Sequence, residues 1–176
     1  MMQAIHMSKI DTPLGQMIVC CVAEGICLLE FADRPELGME LQQLERRLQA
    51  NISVAKHAHI EQCEEELAAY FNGSRKIFTV PLVMPGTEFQ QLVWRQLQEI
   101  PYGSTRTYKQ QAKALDRLKA IRAVAGANGS NKIAIMIPCH RVIGTNGALT
   151  GYAGGLQRKQ WLLAHEQGHV QMNIAW

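Results

Sequence analysis

Cys139 is the only one of five cysteines followed directly by an imidazole and then a guanidinium, in the run Ile137-Pro138-Cys139-His140-Arg141-Val142. Thiolate, not thiol, is the nucleophile of cysteine chemistry, and neighbouring cations favour the anion. A reactive sulfur is therefore the first expectation, against the alternative that Cys139 simply packs a core. His140 is the adjacent candidate base, but successive side chains of an extended backbone point to opposite sides. Either the chain turns sharply at the cysteine or a water molecule carries the proton between sulfur and imidazole.

The elements that must position this sulfur fall into two halves. Met17 to Val22 and Ile26 to Phe31 are apolar runs joined by Ala23-Glu24-Gly25, which predicts a hairpin. Leu37, Leu41, Leu44 and Leu48 repeat at helical spacing, and Cys63, Leu67, Tyr70 and Phe71 mark a second amphipathic helix ending at Asn72-Gly73. The stretch from Thr79 to Gly86 contains Pro81 and Pro85, which exclude a helix and predict a boundary near residue 85. Beyond it, Thr87 with Gln90, and Thr107 with Gln110, have the capping-box spacing of helix starts. A further helix from about Leu118 to Asn128 would complete a helix-turn-helix. Domains 1–85 and 86–176 are thus expected.

Charge divides at the same place. Residues before Pro85 carry 7 basic and 11 acidic side chains, those after it 11 and 4, so a net −4 precedes a net +7. Arg106, Lys109, Lys113, Arg117, Lys119 and Arg122 face only Asp116 between residues 101 and 125, a density suited to a polyanion such as a phosphate backbone, or else a solvated helical face. Ala123, Ala125, Gly126 and Ala127 give the helix bearing Arg122 few long side chains. Such a surface can enter a narrow groove closely while reading little sequence, although helix packing also explains small residues.

These residues together resemble the O6-alkylguanine-DNA alkyltransferases of the bacterial Ogt type. The resemblance rests on Pro138-Cys139-His140-Arg141-Val142, Arg122-Ala123-Val124, Asn131, Tyr108, the loop Gly151-Tyr152-Ala153-Gly154-Gly155 and the closing Leu162-Leu163-Ala164-His165-Glu166. In the N-terminal half only Thr12-Pro13-Leu14-Gly15 contributes. The implied fold is α+β: a small, mainly structural N-terminal sheet-plus-helix domain, ribonuclease H-like, then a mainly helical C-terminal domain with a winged-helix-like helix-turn-helix that binds DNA and transfers the alkyl group.

The implied activity is direct-reversal repair. Cys139 would take the alkyl group from guanine O6 in duplex DNA, irreversibly and once per molecule, after the nucleotide is flipped out. O4-alkylthymine remains open as a second substrate. The resemblance implies a catalytic set of Cys139, His140 with Glu166 orienting it through a relay, Asn131 as hinge and Tyr108 as proton donor. It also implies that Arg122 fills the gap left by the base, and that Val142, Tyr152 and Ala153 line the base pocket. Many relatives carry Ser where this chain has Ala153, so only its backbone amide is expected to reach the substrate. Leu115 to Ala120 lacks the Gly and Pro common at that turn.

Taken alone, Glu166 would read as a surface acid, Asn131 as a helix C-cap and Tyr108 as a packing aromatic. No metal is expected, because Cys20, Cys21, Cys27, Cys63 and His6 lack ligand spacing. No other cofactor, membrane or obligate protein partner is expected either. Double-stranded DNA should be bound by a monomer, with cooperativity open. Five cysteines, an odd number, and a start lacking a signal-peptide pattern suggest a reducing cytoplasmic setting. Two rival readings are a DNA-binding regulator without chemistry and a Cys/His hydrolase.

Overall fold

The computed structural model describes residues 3–169, which form two compact units dividing between Pro85 and Gly86. In the first unit, strands β1 (Ala4–Thr12), β2 (Gly15–Val22), β3 (Gly25–Phe31) and β4 (Asn51–Val54) make one sheet in the order β3-β2-β1-β4. The β1-β2 and β2-β3 pairs are antiparallel and β1-β4 is parallel. Helices α1 (Leu37–Leu48) and α2 (Ala58–Phe71) complete the unit.

Both β2 and β3 are buried almost throughout, as strands covered on both faces must be. Ile18, Cys20 and Val22 pack with Leu37 and Leu44 of α1. Cys21, on the alternate face, lies close enough to Cys63 of α2 to influence its thiol. The expected hairpin forms between β2 and β3, with a bulge at Cys27: Cys20 pairs with Leu28, and Cys21 with Ile26. Gly25 must be glycine, since a Cβ there would lie 2.4 Å from the Pro81 carbonyl oxygen. That close approach lets the segment after α2 dock along β3, with Ile26 N donating to Pro81 O at 2.8 Å and Val83 N to Ile26 O at 2.7 Å. Neither β1 nor the short β4 is marked by the alternation of apolar residues that reveals a strand.

The second unit contains α3 (Glu88–Gln98), α4 (Tyr108–Ala114), α5 (Ile121–Gly129) and α6 (Leu156–Glu166). The short strands β5 (Arg106–Thr107) and β6 (Val142–Ile143) pair in parallel. Both capping boxes form: Thr87 and Thr107 accept from the backbone N–H groups of Gln90 and Gln110, whose side chains bond back. Helices α4 and α5 make the helix-turn-helix. Its second helix begins three residues later than the sequence suggests, because Leu118–Ala120 is a 3-10 turn. Asp116 takes φ 54° in that connection and so fills the left-handed position without glycine. Trp94 of α3, 1% exposed, donates from its indole nitrogen to Ala127 O at 2.8 Å and anchors α5. Among the described residues, no helix is long and apolar enough to cross a membrane.

Candidate active site

Cys139 opens a 3-10 turn, Cys139–Arg141, that follows Pro138. The turn resolves the geometric problem of consecutive side chains. It leaves Cys139 partly exposed while His140 and Arg141 point inward, buried. A cleft of about 630 Å³ opens over the sulfur, bordered by Tyr108, Arg122, Asn128, Tyr152 and Ala153.

Behind the turn, Glu166 at the end of α6 is the centre of a buried network. His140 Nε2 lies 2.8 Å from Glu166 Oε1. Arg141 donates from Nε to Oε2 at 2.8 Å and from Nη2 to Oε1 at 2.9 Å, while its Nη1 donates to Ile100 O at 2.7 Å. Gly103 N donates to Oε2 at 3.3 Å. Burial alone would raise the Glu166 carboxyl, but bonds and charges from His140 and Arg141 prevail and hold it well below the usual carboxylate range. Burial pushes His140 below its ordinary value, with the Arg141 and Lys159 charges adding to the effect and Glu166 opposing it.

A neutral imidazole facing a carboxylate must carry its proton on Nε2. His140 Nδ1, which has no hydrogen-bond partner among the described residues, is then the basic atom. The guanidinium of Arg141 does not serve the sulfur, contrary to what its place in the sequence suggests. It forks onto Glu166, a bidentate geometry that neutralises the buried acid.

Asn131 ties the end of α5 to the cysteine turn. Its Nδ2 donates to Ile137 O at 2.8 Å and to Cys139 Sγ at 3.2 Å, and its Oδ1 accepts from Ile133 N at 2.9 Å. Between Asn131 and Cys139 the chain makes a tight turn in which Ile135 holds φ 71°. A β-branched residue in that region is strained by about 1–3 kcal/mol, and burial of the apolar run holds it in place.

Lys159 is the residue that the sequence conceals. Nothing in Arg158-Lys159-Gln160 distinguishes it from a solvated helical lysine, yet it is fully buried on α6. Its Nζ donates to Val142 O at 2.6 Å and Thr150 O at 2.9 Å and lies 5.9 Å from the Tyr108 ring centre. Burial lowers its pKa, opposed by the negative charge that Cys139 would carry. The cation in the field of the sulfur is thus Lys159, eighteen residues beyond the neighbour that the sequence nominates. Val142, expected to offer its carbonyl to a base, already accepts from this lysine and keeps one lone pair. The Tyr108 hydroxyl donates to Thr150 O at 3.0 Å. Burial raises its pKa, with Cys139 adding to the rise and the Thr150 bond opposing it.

Of the residues singled out in the sequence, Cys139, Tyr108, Arg122, Tyr152 and Ala153 therefore border one cleft. His140, Glu166 and Asn131 stand behind it, joined to the cysteine turn.

Residues 5–84 match the family model of the 6-O-methylguanine DNA methyltransferase ribonuclease-like domain, and residues 88–168 that of the DNA binding domain. A methylated-DNA–protein-cysteine methyltransferase of Shigella flexneri is 43% identical over 90% of this chain and 93% of its own. One from Methanosarcina acetivorans is 42% identical over 89% and 94%. The crystal structure of Mycobacterium tuberculosis OGT in complex with DNA superimposes with a TM-score of 0.79 at 37% identity, covering 93% of this chain and 94% of that one. With this fold and this degree of identity over nearly its whole length, the chain belongs to the methylated-DNA–protein-cysteine methyltransferase family.

Proposed function

We propose that the protein repairs DNA by direct reversal, moving the alkyl group of O6-alkylguanine in a duplex onto its own Cys139. The observation that carries this reading is the placement of Cys139: the sulfur borders an open cleft while a basic His140 nitrogen, oriented by Glu166, lies behind the same turn.

The thiol proton passes to His140 Nδ1 through a bridging water, leaving thiolate and an imidazolium paired with Glu166. Sulfur attacks the alkyl carbon in line. The S–C bond forms as the C–O6 bond breaks, and the electron pair departs on the guanine. Tyr108 donates a proton to the leaving base once its hydroxyl turns from Thr150, and Lys159 stabilises negative charge first on sulfur and then on the tyrosine. A thioether has no easy route back, so each molecule acts once.

Reaching O6 in line requires the nucleotide to leave the stack. Arg122, exposed at the cleft edge on the small-faced α5, takes its place, and Tyr152 and Ala153 wall the base. Residues 86–176 carry binding and transfer, while residues 1–85 support them structurally. No cofactor takes part, double-stranded DNA is the partner, and the cytoplasm is the site of action.

Intact-mass analysis after incubation with duplex DNA bearing O6-methylguanine tests the reading. One methyl is gained per molecule, and none by Cys139→Ala. Repeated turnover through an acyl-enzyme would favour the hydrolase, and sequence-selective binding with no mass change would favour the regulator.

A further inference from the structure

Two amides meet where α4 packs on α5. Gln111 is completely buried and Asn128 is 5% exposed. Gln111 Nε2 donates to Asn128 Oδ1 at 2.7 Å, and Asn128 Nδ2 returns a bond to Gln111 Oε1 at 2.6 Å. Only Asn128 borders the cleft; Gln111 stands behind it. Asn128 lies one turn after Ala125 on α5 and borders the cleft together with Arg122, and Gln111 lies one turn after Tyr108 on α4.

Helix packing does not require such a pair. Two apolar side chains of similar size would hold α4 against α5 about as well, because a net hydrogen bond contributes little once both partners can be replaced together. What an apolar pair would not do is fix the rotation of an amide at the cleft wall. The reciprocal bonds use one N–H and one lone pair of each amide. Asn128 keeps a second N–H and a second lone pair, and the bond from Gln111 fixes their direction. The main-chain carbonyl of Asn128 accepts from Asn131 N at 3.2 Å, and the Asn131 side chain in turn reaches Cys139 Sγ. The pair therefore ties the helix bearing Tyr108 to the segment that aims the sulfur.

We infer that Gln111 is a positioning residue of the transfer reaction: acting through Asn128, it holds an oriented amide in the wall of the cleft against the extruded nucleotide. The inference rests on the alkyl-transfer reading, and the unaltered protein serves as its control. If that protein gains no methyl, the function fails independently of Gln111.

The test separates orientation from packing. Single-turnover transfer from an O6-methylguanine duplex is measured at rising protein concentration, alongside thermal unfolding, for Gln111→Leu/Asn128→Leu and for the exchange Gln111→Asn/Asn128→Gln. The double leucine protein removes both amides at once and is expected to melt within a few degrees of the parent. Its transfer efficiency is expected to fall tenfold or more, a size typical of lost positioning. The exchange preserves an amide pair but shifts the head at the cleft by one methylene, and it is expected to melt normally and still transfer at least several-fold more slowly. Parent-like transfer by either folded variant overturns the assignment, because packing alone would then suffice. Should the double leucine protein not fold, the exchange decides alone.

Discussion

The four cysteines of the sheet unit and the single cysteine of the helical unit are the same residue under opposite physical conditions. Burial raises Cys21 to about 11 and Cys27 to about 12, and pushes Cys20 and Cys63 higher still. Cys27 sits at a bulge, where burial outweighs a backbone hydrogen bond that favours the anion, and Cys63 lies in the apolar stripe of α2 with the Glu66 and Glu64 charges adding to the cost of ionising it. Cys139 instead lies on a turn, partly exposed, with an Asn131 N–H on its sulfur and the buried ammonium of Lys159 nearby. Reactivity is therefore assigned by the element that carries the thiol, and only secondarily by the residues beside it in the chain.

The contrast is broken most directly by a thiol reagent. Iodoacetamide applied to the native protein should modify Cys139 alone, with the other four reacting only after denaturation. Peptide mapping by mass spectrometry reads the result. A second site labelled at a similar rate in the folded protein would remove the distinction between the two regions.

Glu166→Gln is the next largest perturbation. It leaves Arg141 as a buried cation without its counter-charge, a change that typically costs about 3–5 kcal/mol. It also replaces the carboxylate that orients His140 and would stabilise its imidazolium with a neutral amide, so methyl transfer should fall by about 10²-fold or more. Denaturant unfolding and single-turnover transfer measure the two effects separately. A parallel change in unit one, Glu66→Gln, should cost less and leave transfer intact, because Glu66 accepts from Thr79 and Val80 but touches no part of the cleft. If both substitutions slowed transfer equally, the chemistry could not be confined to the helical unit.

Much of this division is legible in the sequence, and the parts that are not have physical reasons. Charge asymmetry, paired prolines and two capping boxes mark the boundary and helices because each is a local property. Strands β1 and β4 escape notice since edge and mixed-burial strands lack an alternating pattern. Cys139 and His140 are found through type and spacing, and Glu166 only through the family resemblance. Lys159 and the Gln111–Asn128 pair are not, because burial of a polar residue on a helix depends on what another element places against it. Arg141 is misread for the same reason: adjacency in sequence suggests a partner for the thiol, and a one-turn helix sends the guanidinium the other way. Nor does the apolar run Ile133 to Ile137 announce its shape: Asn131 bonds at both of its ends and closes it into a turn.

Acid should sharpen the comparison by a smaller margin. His140 lies below its usual value of 6.5 in the folded state, so the unfolded chain takes up that proton first. Stability is then fully present above pH 6.5 and falls as pH drops through it, by up to about 1.4 kcal/mol per pH unit for one proton. Glu166, depressed from 4.5, contributes stability present above 4.5 that is lost as pH falls further. The sheet unit has a weaker counterpart in His57, which is lowered by slight burial and by His59 and His6, and in Glu66, which hydrogen bonds lower despite burial. His57 is half-buried, where screening reduces its effect, and Glu66, though buried, is lowered from 4.5 and stays ionised between pH 7 and 5. Thermal unfolding between pH 7 and 5 should therefore show a decline that Glu166→Gln alters and His57→Gln leaves nearly unchanged; an equal response to both would place the acid sensitivity outside the active-site network.

The smallest effect is the most specific. Cys63→Ser exchanges a buried sulfur for a hydroxyl of similar shape in the apolar stripe of α2, where an uncompensated polar group costs about 1–3 kcal/mol. The unfolding midpoint should drop accordingly while the rate of methyl transfer at 25 °C stays within about twofold, since most of the population remains folded at that loss. Cys139→Ser makes the same exchange of atoms with the opposite consequence. At a partly exposed site the hydroxyl is readily satisfied by water, so stability should change by less than about 0.5 kcal/mol. Transfer should vanish, because an alkoxide is not accessible to a serine whose only base is a neutral imidazole tuned for a thiol. Two identical substitutions with crossed effects on stability and chemistry would demonstrate that each cysteine's role is set by its surroundings; a Cys63→Ser protein that transferred tenfold more slowly at unchanged foldedness would refute that separation.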